Sequence, residues 1–201
     1  MKMKRGLAVP PVPSIGHQKA ELIALELVAD FQPERLREAG PFNVARWFEF
    51  HLPKKYKLNT GVGDMPIGVE GFTIAEGNGG LIRLSQSAYD GMLDGRGHDR
   101  FTAAHEGVHG IRHLRTIQSL HCEITAGKRP TLYRRSDIPS YLNPEWQASR
   151  IASAILMPWT TLRRLLDKYG EDITLIATTF QVSPSAVIVR LDQLRRMGRR
   201  W

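Results

Sequence analysis

Apolar residues recur at three- and four-residue steps through most of the chain, with one stretch where they fall at alternate positions. The first helical stretch spans residues 18–31, where Leu22, Ile23, Leu25, Leu27, Val28 and Ala29 form a wide stripe that Pro33 stops. A shorter helix is expected over 43–51, carrying Trp47, Phe48 and Phe50 and closed by Pro53. Between Tyr56 and Ser85 the period shortens. Val69, Phe72 and Ile74, then Leu81, Ile82 and Leu84, predict strands on either side of Glu76-Gly77-Asn78-Gly79-Gly80, a hairpin signal. The last strand, around 81–85, is a candidate edge for an added peptide strand.

A long helix follows. Phe101, Ala104, Val108, Ile111 and Leu114 make its apolar stripe, and no proline interrupts 101–121. Residues 123–143 read as an irregular tract, a possible lid. Asn143 and Pro144 then give a helix start, cap followed by first-turn proline. The tail reads as helices over 160–169, closed by Gly170, then 173–180 and 183–197, the last opening at Ser183-Pro184. The fold expected is α+β, with a small antiparallel sheet packed on helices and a helix-turn-helix-like segment at the end. Its parts are a flexible basic, proline-rich arm over 1–16, a main domain over 17–158 and the helical segment over 159–201.

Composition narrows the class without changing this layout. The 201 residues are 42% hydrophobic and 24% charged, enough for a substantial core. No apolar run reaches membrane-spanning length, and the start of the chain is basic and proline-rich, so a cytoplasmic protein without membrane contact is expected. The single cysteine, Cys122, agrees with that compartment. The formal charge of +8 gives weak attraction to acidic partners, and several of its arginines, Arg190, Arg195, Arg196, Arg199 and Arg200, lie at the C-terminus.

The chemistry centres on His105-Glu106-Gly107-Val108-His109. Residues four apart share a helix face, so His105 and His109 can aim at one point, where neutral imidazoles suit Zn²⁺ and Glu106 can act as general base. Gly107 is costly inside a helix, by about 1 kcal/mol relative to alanine, and is explained if another backbone packs close there. Glu145, in the first turn of the helix opened by Asn143, is the leading third ligand. It leaves one position for water. His113 sits about 12 Å along a straight helix from His105 and fits better behind the ligands or in the core. His121, Cys122 and Glu123 are weaker ligand candidates, and His98 and Asp137 weaker still. An oxyanion partner could come from Tyr133, Tyr141 or His121.

The chain resembles the ImmA/IrrE family of metallopeptidases. The resemblance is carried by Arg100-Phe101-Thr102-Ala103-Ala104-His105-Glu106-Gly107-Val108-His109-Gly110-Ile111-Arg112-His113 and by Glu145-Trp146-Gln147-Ala148-Ser149-Arg150-Ile151-Ala152-Ser153-Ala154-Ile155-Leu156-Met157-Pro158. Val108, Ser149, Ile151 and Ile155 depart from the family's common residues. The resemblance implies a zincin-like core, one Zn²⁺ held by His105, His109 and Glu145, and Glu106 as catalytic acid/base. It further implies a protein substrate, a helix-turn-helix repressor cut at one site in a stress or mobile-element response.

The tail leaves a rival open. In a DNA-binding protein with a structural zinc, Ser183, Ser185 and Arg190 would face the groove and the terminal arginines the phosphates. That face is poor in base-reading side chains, so a structural cap is favoured. A third possibility is a protein that binds a repressor without cutting it.

Overall fold

The structure, a computed structural model, describes residues 8–77, 79–129, 132–134, 137–199 and 201, with only the backbone for 8, 9, 133 and 134. Strand β1 (Ala8–Val9) leads into helix α1 (His17–Phe31), which buries Ala20, Ile23, Ala24, Leu27 and Val28 together with one carboxylate, Glu21. The buried stripe is narrower than expected, for Leu22 and Ala29 face outward. Pro33 opens a short 3₁₀ turn, as a stop signal should.

The next helical stretch corrects the sequence reading at Pro53. Helix α2 (Val44–Arg46) passes through a π turn (Trp47–His51) into helix α3 (Leu52–Tyr56), and Pro53 lies in the first turn of the last piece. Proline removes a backbone donor and crowds the preceding turn. The wider π turn just before it accommodates both, so the chain stays helical to Tyr56 instead of stopping.

Strand β2 (Leu58–Val62), β3 (Gly71–Glu76) and β4 (Gly79–Leu84) form a sheet in the order β2-β4-β3. The hairpin is present: β3 runs antiparallel to β4 from Gly71↔Leu84 to Glu76↔Gly79, turning at Gly77, whose φ of 52° suits glycine. The sheet is mixed, however, because β2 runs parallel to β4 from Leu58↔Gly80 to Val62↔Leu84. Its Leu-Asn-Thr-Gly-Val sequence has too little apolar alternation to announce it. Strand β4 is therefore central, and the expected edge around 81–85 is not an edge. Among the described residues β3 pairs with β4 alone.

Ser85 caps helix α4 (Gln86–Leu93), which leads to helix α5 (Gly97–Arg112). The predicted run of 101–121 breaks at His113, and helix α6 (Leu114–Thr125) sets off anew with no fully buried residue among those described. Strand β5 (Tyr133–Arg134) pairs antiparallel with β1, and a 3₁₀ turn (Ser140–Leu142) precedes helix α7 (Pro144–Leu156). The arm expected to be free is tied down from Ala8 on. Val12 and Ile15 are buried, and their N–H groups donate to Leu142 O and Tyr141 O at 3.0 Å each.

Helices α8 (Trp159–Tyr169), α9 (Ile173–Phe180) and α10 (Pro184–Arg196) complete the chain. A turn with Gln181 in the left-handed region joins the last two, which are bent by 105°. Helix α5 packs against α7, α4 and the sheet, and α1 covers α7. Across this core Glu21 on α1 receives both terminal nitrogens of the fully buried Arg190 on α10, with Arg150 Nη2 on α7 3.6 Å away. Removing one partner of such a buried pair costs about 3–5 kcal/mol, so the cluster anchors α10 to the main body. Among the described residues no single helix is long and apolar enough to cross a membrane.

Candidate metal centre

Helix α5 presents His105 and His109 one turn apart on one side while Ala103, Ala104, Gly107 and Val108 pack inward. The glycine serves a different neighbour from the one expected. A Cβ on Gly107 would lie 2.4 Å from Cζ3 and 2.6 Å from Cη2 of Trp47, so an indole ring, not a backbone, occupies the space. Arg100, at the start of the helix, donates to Gln181 O at 2.9 Å and to Phe42 O at 2.8 Å, and burial lowers its guanidinium pKa to about 10.

Helix α7 brings in Glu145. Asn143 accepts from the N–H of Glu145 at 3.0 Å and of Trp146 at 3.4 Å, fixing the first turn where a carboxylate also complements the helix dipole. His105 Nε2 and His109 Nε2 are 3.1 Å apart, and they lie 3.4 Å and 3.2 Å from the two Glu145 oxygens. Ligands held about 2.0–2.1 Å from a tetrahedral zinc are separated by about 3.3–3.4 Å. The three-residue donor set therefore fits Zn²⁺ in chemistry and in spacing. Burial alone would raise the Glu145 pKa, but the imidazoles of His105 and His109 outweigh it and hold the carboxyl well below its usual range.

Bonds behind the ligands select the tautomers. His105 Nδ1 lies 3.3 Å from Ser149 Oγ, and His109 Nδ1 lies 3.1 Å from His113 Nδ1. His113 Nε2 is in turn 3.1 Å from Gln147 Oε1, and the Gln147 amide donates to Pro13 O at 3.0 Å and Tyr141 O at 2.8 Å. One assignment satisfies every link. His109 carries its proton on Nδ1 and donates it to His113, His113 carries its own on Nε2 and donates it to Gln147, and His105 takes the same form as His109 when the Ser149 hydroxyl accepts from its Nδ1. Both ligand Nε2 lone pairs then converge with a carboxylate, an arrangement that repels unless a cation lies between them. Burial lowers the His113 pKa to about 3, which keeps it neutral as this relay requires.

Glu106 borders the same open space as His105, His109 and Glu145. Its Oε2 accepts from Thr73 Oγ1 on β3 at 2.7 Å. A cleft runs past these groups. One part, about 410 Å³, is walled by Pro10, Val12, Phe72, Ile117 and Leu120, and the other, about 650 Å³, opens between Val69, Phe101 and Ser149.

The remaining candidates do not converge here. His121 and Cys122 flank a separate depression with Ala75 and Gln118, and Glu123 follows them on α6. His98 Nε2 pairs with Glu70 Oε2 at 2.7 Å. Tyr141 is half exposed and its backbone carbonyl accepts from Gln147, while the Tyr133 side chain lies outside the described residues. Ser183 caps α10 and Ser185 sits beside it. Arg190, offered as a DNA contact, is fully buried on Glu21 and Met157 O, so it cannot reach a groove. Thr73, Gln147 and Ser149 were missed as site residues. Ser149 had a local signal, one turn beyond Glu145 on the same face of a helix. The other two are set by contacts between distant elements.

No curated protein matches the chain. A solved structure described as a Mycobacterium tuberculosis transcriptional regulator is similar with a TM-score of 0.58 at 14% identity, over 89% of this chain and 48% of that one. The chain thus spans about half the length of that structure, and the likeness is one of fold. The family model for an IrrE N-terminal-like domain, a peptidase domain, matches residues 93–192, from the end of α4 through α5 and α7 and into α10. On that match the chain belongs to the ImmA/IrrE family of metallopeptidase type.

Proposed function

We propose that the protein is a zinc-dependent endopeptidase that cuts a protein substrate at a defined site, with a helix-turn-helix transcriptional repressor as its target. The observation that carries the enzymatic reading is the convergence of His105, His109 and Glu145, with separations of 3.1–3.4 Å, beside a Glu106 carboxylate oriented by Thr73. The repressor as target rests on the family. His105, His109 and Glu145 would hold Zn²⁺, which would supply Lewis acidity toward the scissile carbonyl and the attacking water.

The chain's own groups do the rest. Glu106 takes a proton from the attacking water and returns it to the leaving amine. Thr73 holds the carboxylate toward the cleft during both transfers. Ser149 and His113 keep the ligand imidazoles in the tautomer that offers Nε2, and Gln147 fixes His113. Strand β3 lies beside Glu106 and pairs with β4 alone among the described residues, so an extended peptide can pair along its other edge and bring one carbonyl to the centre. A DNA-reading role for α10 loses its main contact with the burial of Arg190.

Elemental analysis of the purified chain and its variants tests the site. One zinc per chain is expected for wild type and for Glu106→Gln, and none for His105→Ala or Glu145→Ala. Stoichiometric zinc in both ligand variants would overturn the assignment.

A further inference from the structure

Past Phe101 and Ser149 the cleft continues into a second recess of about 280 Å³, whose far wall is helix α10. The two spaces share His98, Phe101 and Ser149, so a chain bound across the metal centre has direct access to the recess. The Phe101 ring is 6.1 Å from the His105 ring, and Ser149 touches the same histidine, which puts the entrance within one residue's reach of the ligands. Inside, Phe101 faces Ala186 and Val189, with the buried Ser153 alongside. Val189 is 53% exposed and its neighbour Ile188 56%, but Val189 is the one of the two that lines the recess, and Ser183 and Ser185 stand at the rim.

Resting on the peptidase reading above, we infer that this recess is a substrate subsite that selects an uncharged aliphatic or aromatic side chain next to the scissile bond. Two features argue for this occupant. The lining holds no Lys, Arg, Asp or Glu, and its one ionisable group, His98, is already paired with Glu70, so a charged side chain entering it would lose water without gaining a free counter-charge. The wall is also fixed in place: Arg190 anchors α10 to Glu21 and Met157 O, and Arg100 holds the turn before α10 through Gln181 O. A rigid wall selects by shape at little ordering cost. The helix that resembles a DNA reader thus serves the protease, with its rim serines facing the cleft.

The test is binding of zinc-chelating hydroxamates to the full-length, zinc-loaded chain, measured by calorimetry so that turnover is not needed. Two series carry a variable residue X, one on the N-terminal and one on the C-terminal side of the chelating group, with X as Gly, Leu, Phe, Lys or Asp. In one series Leu or Phe should bind about 10- to 100-fold tighter than Gly, with no such gain for Lys or Asp. Val189→Trp, at a half-exposed position, should erase that preference relative to the Gly compound of the same series. Val189→Asp should move the preference toward Lys.

A preference that survives Val189→Trp, or no preference in either series, overturns the subsite. If no hydroxamate binds, glycine compounds included, the metal centre itself is wrong and the subsite falls with it. If the compounds bind without discrimination, only the subsite fails.

Discussion

Gln147 is the residue on which the relay behind the metal centre depends. It is 1% exposed, accepts from His113 Nε2 and donates to Pro13 O and Tyr141 O. Leucine fits a similar space but offers none of the three bonds. Gln147→Leu strands the His113 N–H in a buried site, which costs about 1–3 kcal/mol, and frees the His113 ring that receives the His109 proton. Loss of a partner of this kind lowers metal affinity by about 10- to 100-fold, equivalent to about 1.4–2.7 kcal/mol. Competition for zinc against a chromophoric chelator, alongside a thermal melt, separates the two effects. Weaker zinc binding and a lower melting temperature are expected together. A lowered melting temperature with zinc affinity within twofold of wild type would refute the relay and leave Gln147 as packing.

Thr73→Val removes a hydrogen bond to a carboxylate worth about 1.5–3 kcal/mol, so kcat should fall about tenfold or more with zinc content unchanged; unchanged kcat would show that Glu106 orients without it. Gly107→Ala drives a methyl group to 2.4 Å from the Trp47 ring, and overpacking of up to about 3 kcal/mol outweighs the roughly 1 kcal/mol that alanine contributes to the helix. A melting temperature lower by about 4–8 °C is expected, and an unchanged or higher one would contradict the contact. The Glu21 carboxyl is pushed up by burial, but the Arg190 and Arg150 guanidiniums outweigh that and hold its pKa below 4.5. Its contribution is therefore present above pH 4.5 and lost as pH falls through the depressed folded value. Thermal melts across pH 3–6 should show this loss, and in Glu21→Gln it should be shallower; parallel curves would contradict it.

What the sequence made legible was local. Asn143-Pro144 marked the start of α7, Ser183-Pro184 that of α10, and the four-residue spacing of His105 and His109 put both on one face. The helix start at Asn143-Pro144 put Glu145 forward as their partner, and the family resemblance implied the same residue. Features set by contacts between distant segments were not legible. Arg190 looked like a free recognition residue because Glu21, its partner, lies 169 residues earlier. Thr73 reads as an ordinary strand residue until β3 is placed beside α5. Residues 10–16 read as a loose arm because their bonds go to the turn before α7. The break at His113 has no proline or glycine to announce it; there the imidazole turns back to His109 and Gln147 as a new helix begins.

The most direct measurement is mass spectrometry of a helix-turn-helix repressor encoded beside this gene, incubated with the zinc-loaded protein and in parallel with its Glu106→Gln variant. The account predicts one defined cut made by the wild type and none by the variant. Intact repressor in both reactions, held in a stable complex, or equal cutting by the variant would contradict it.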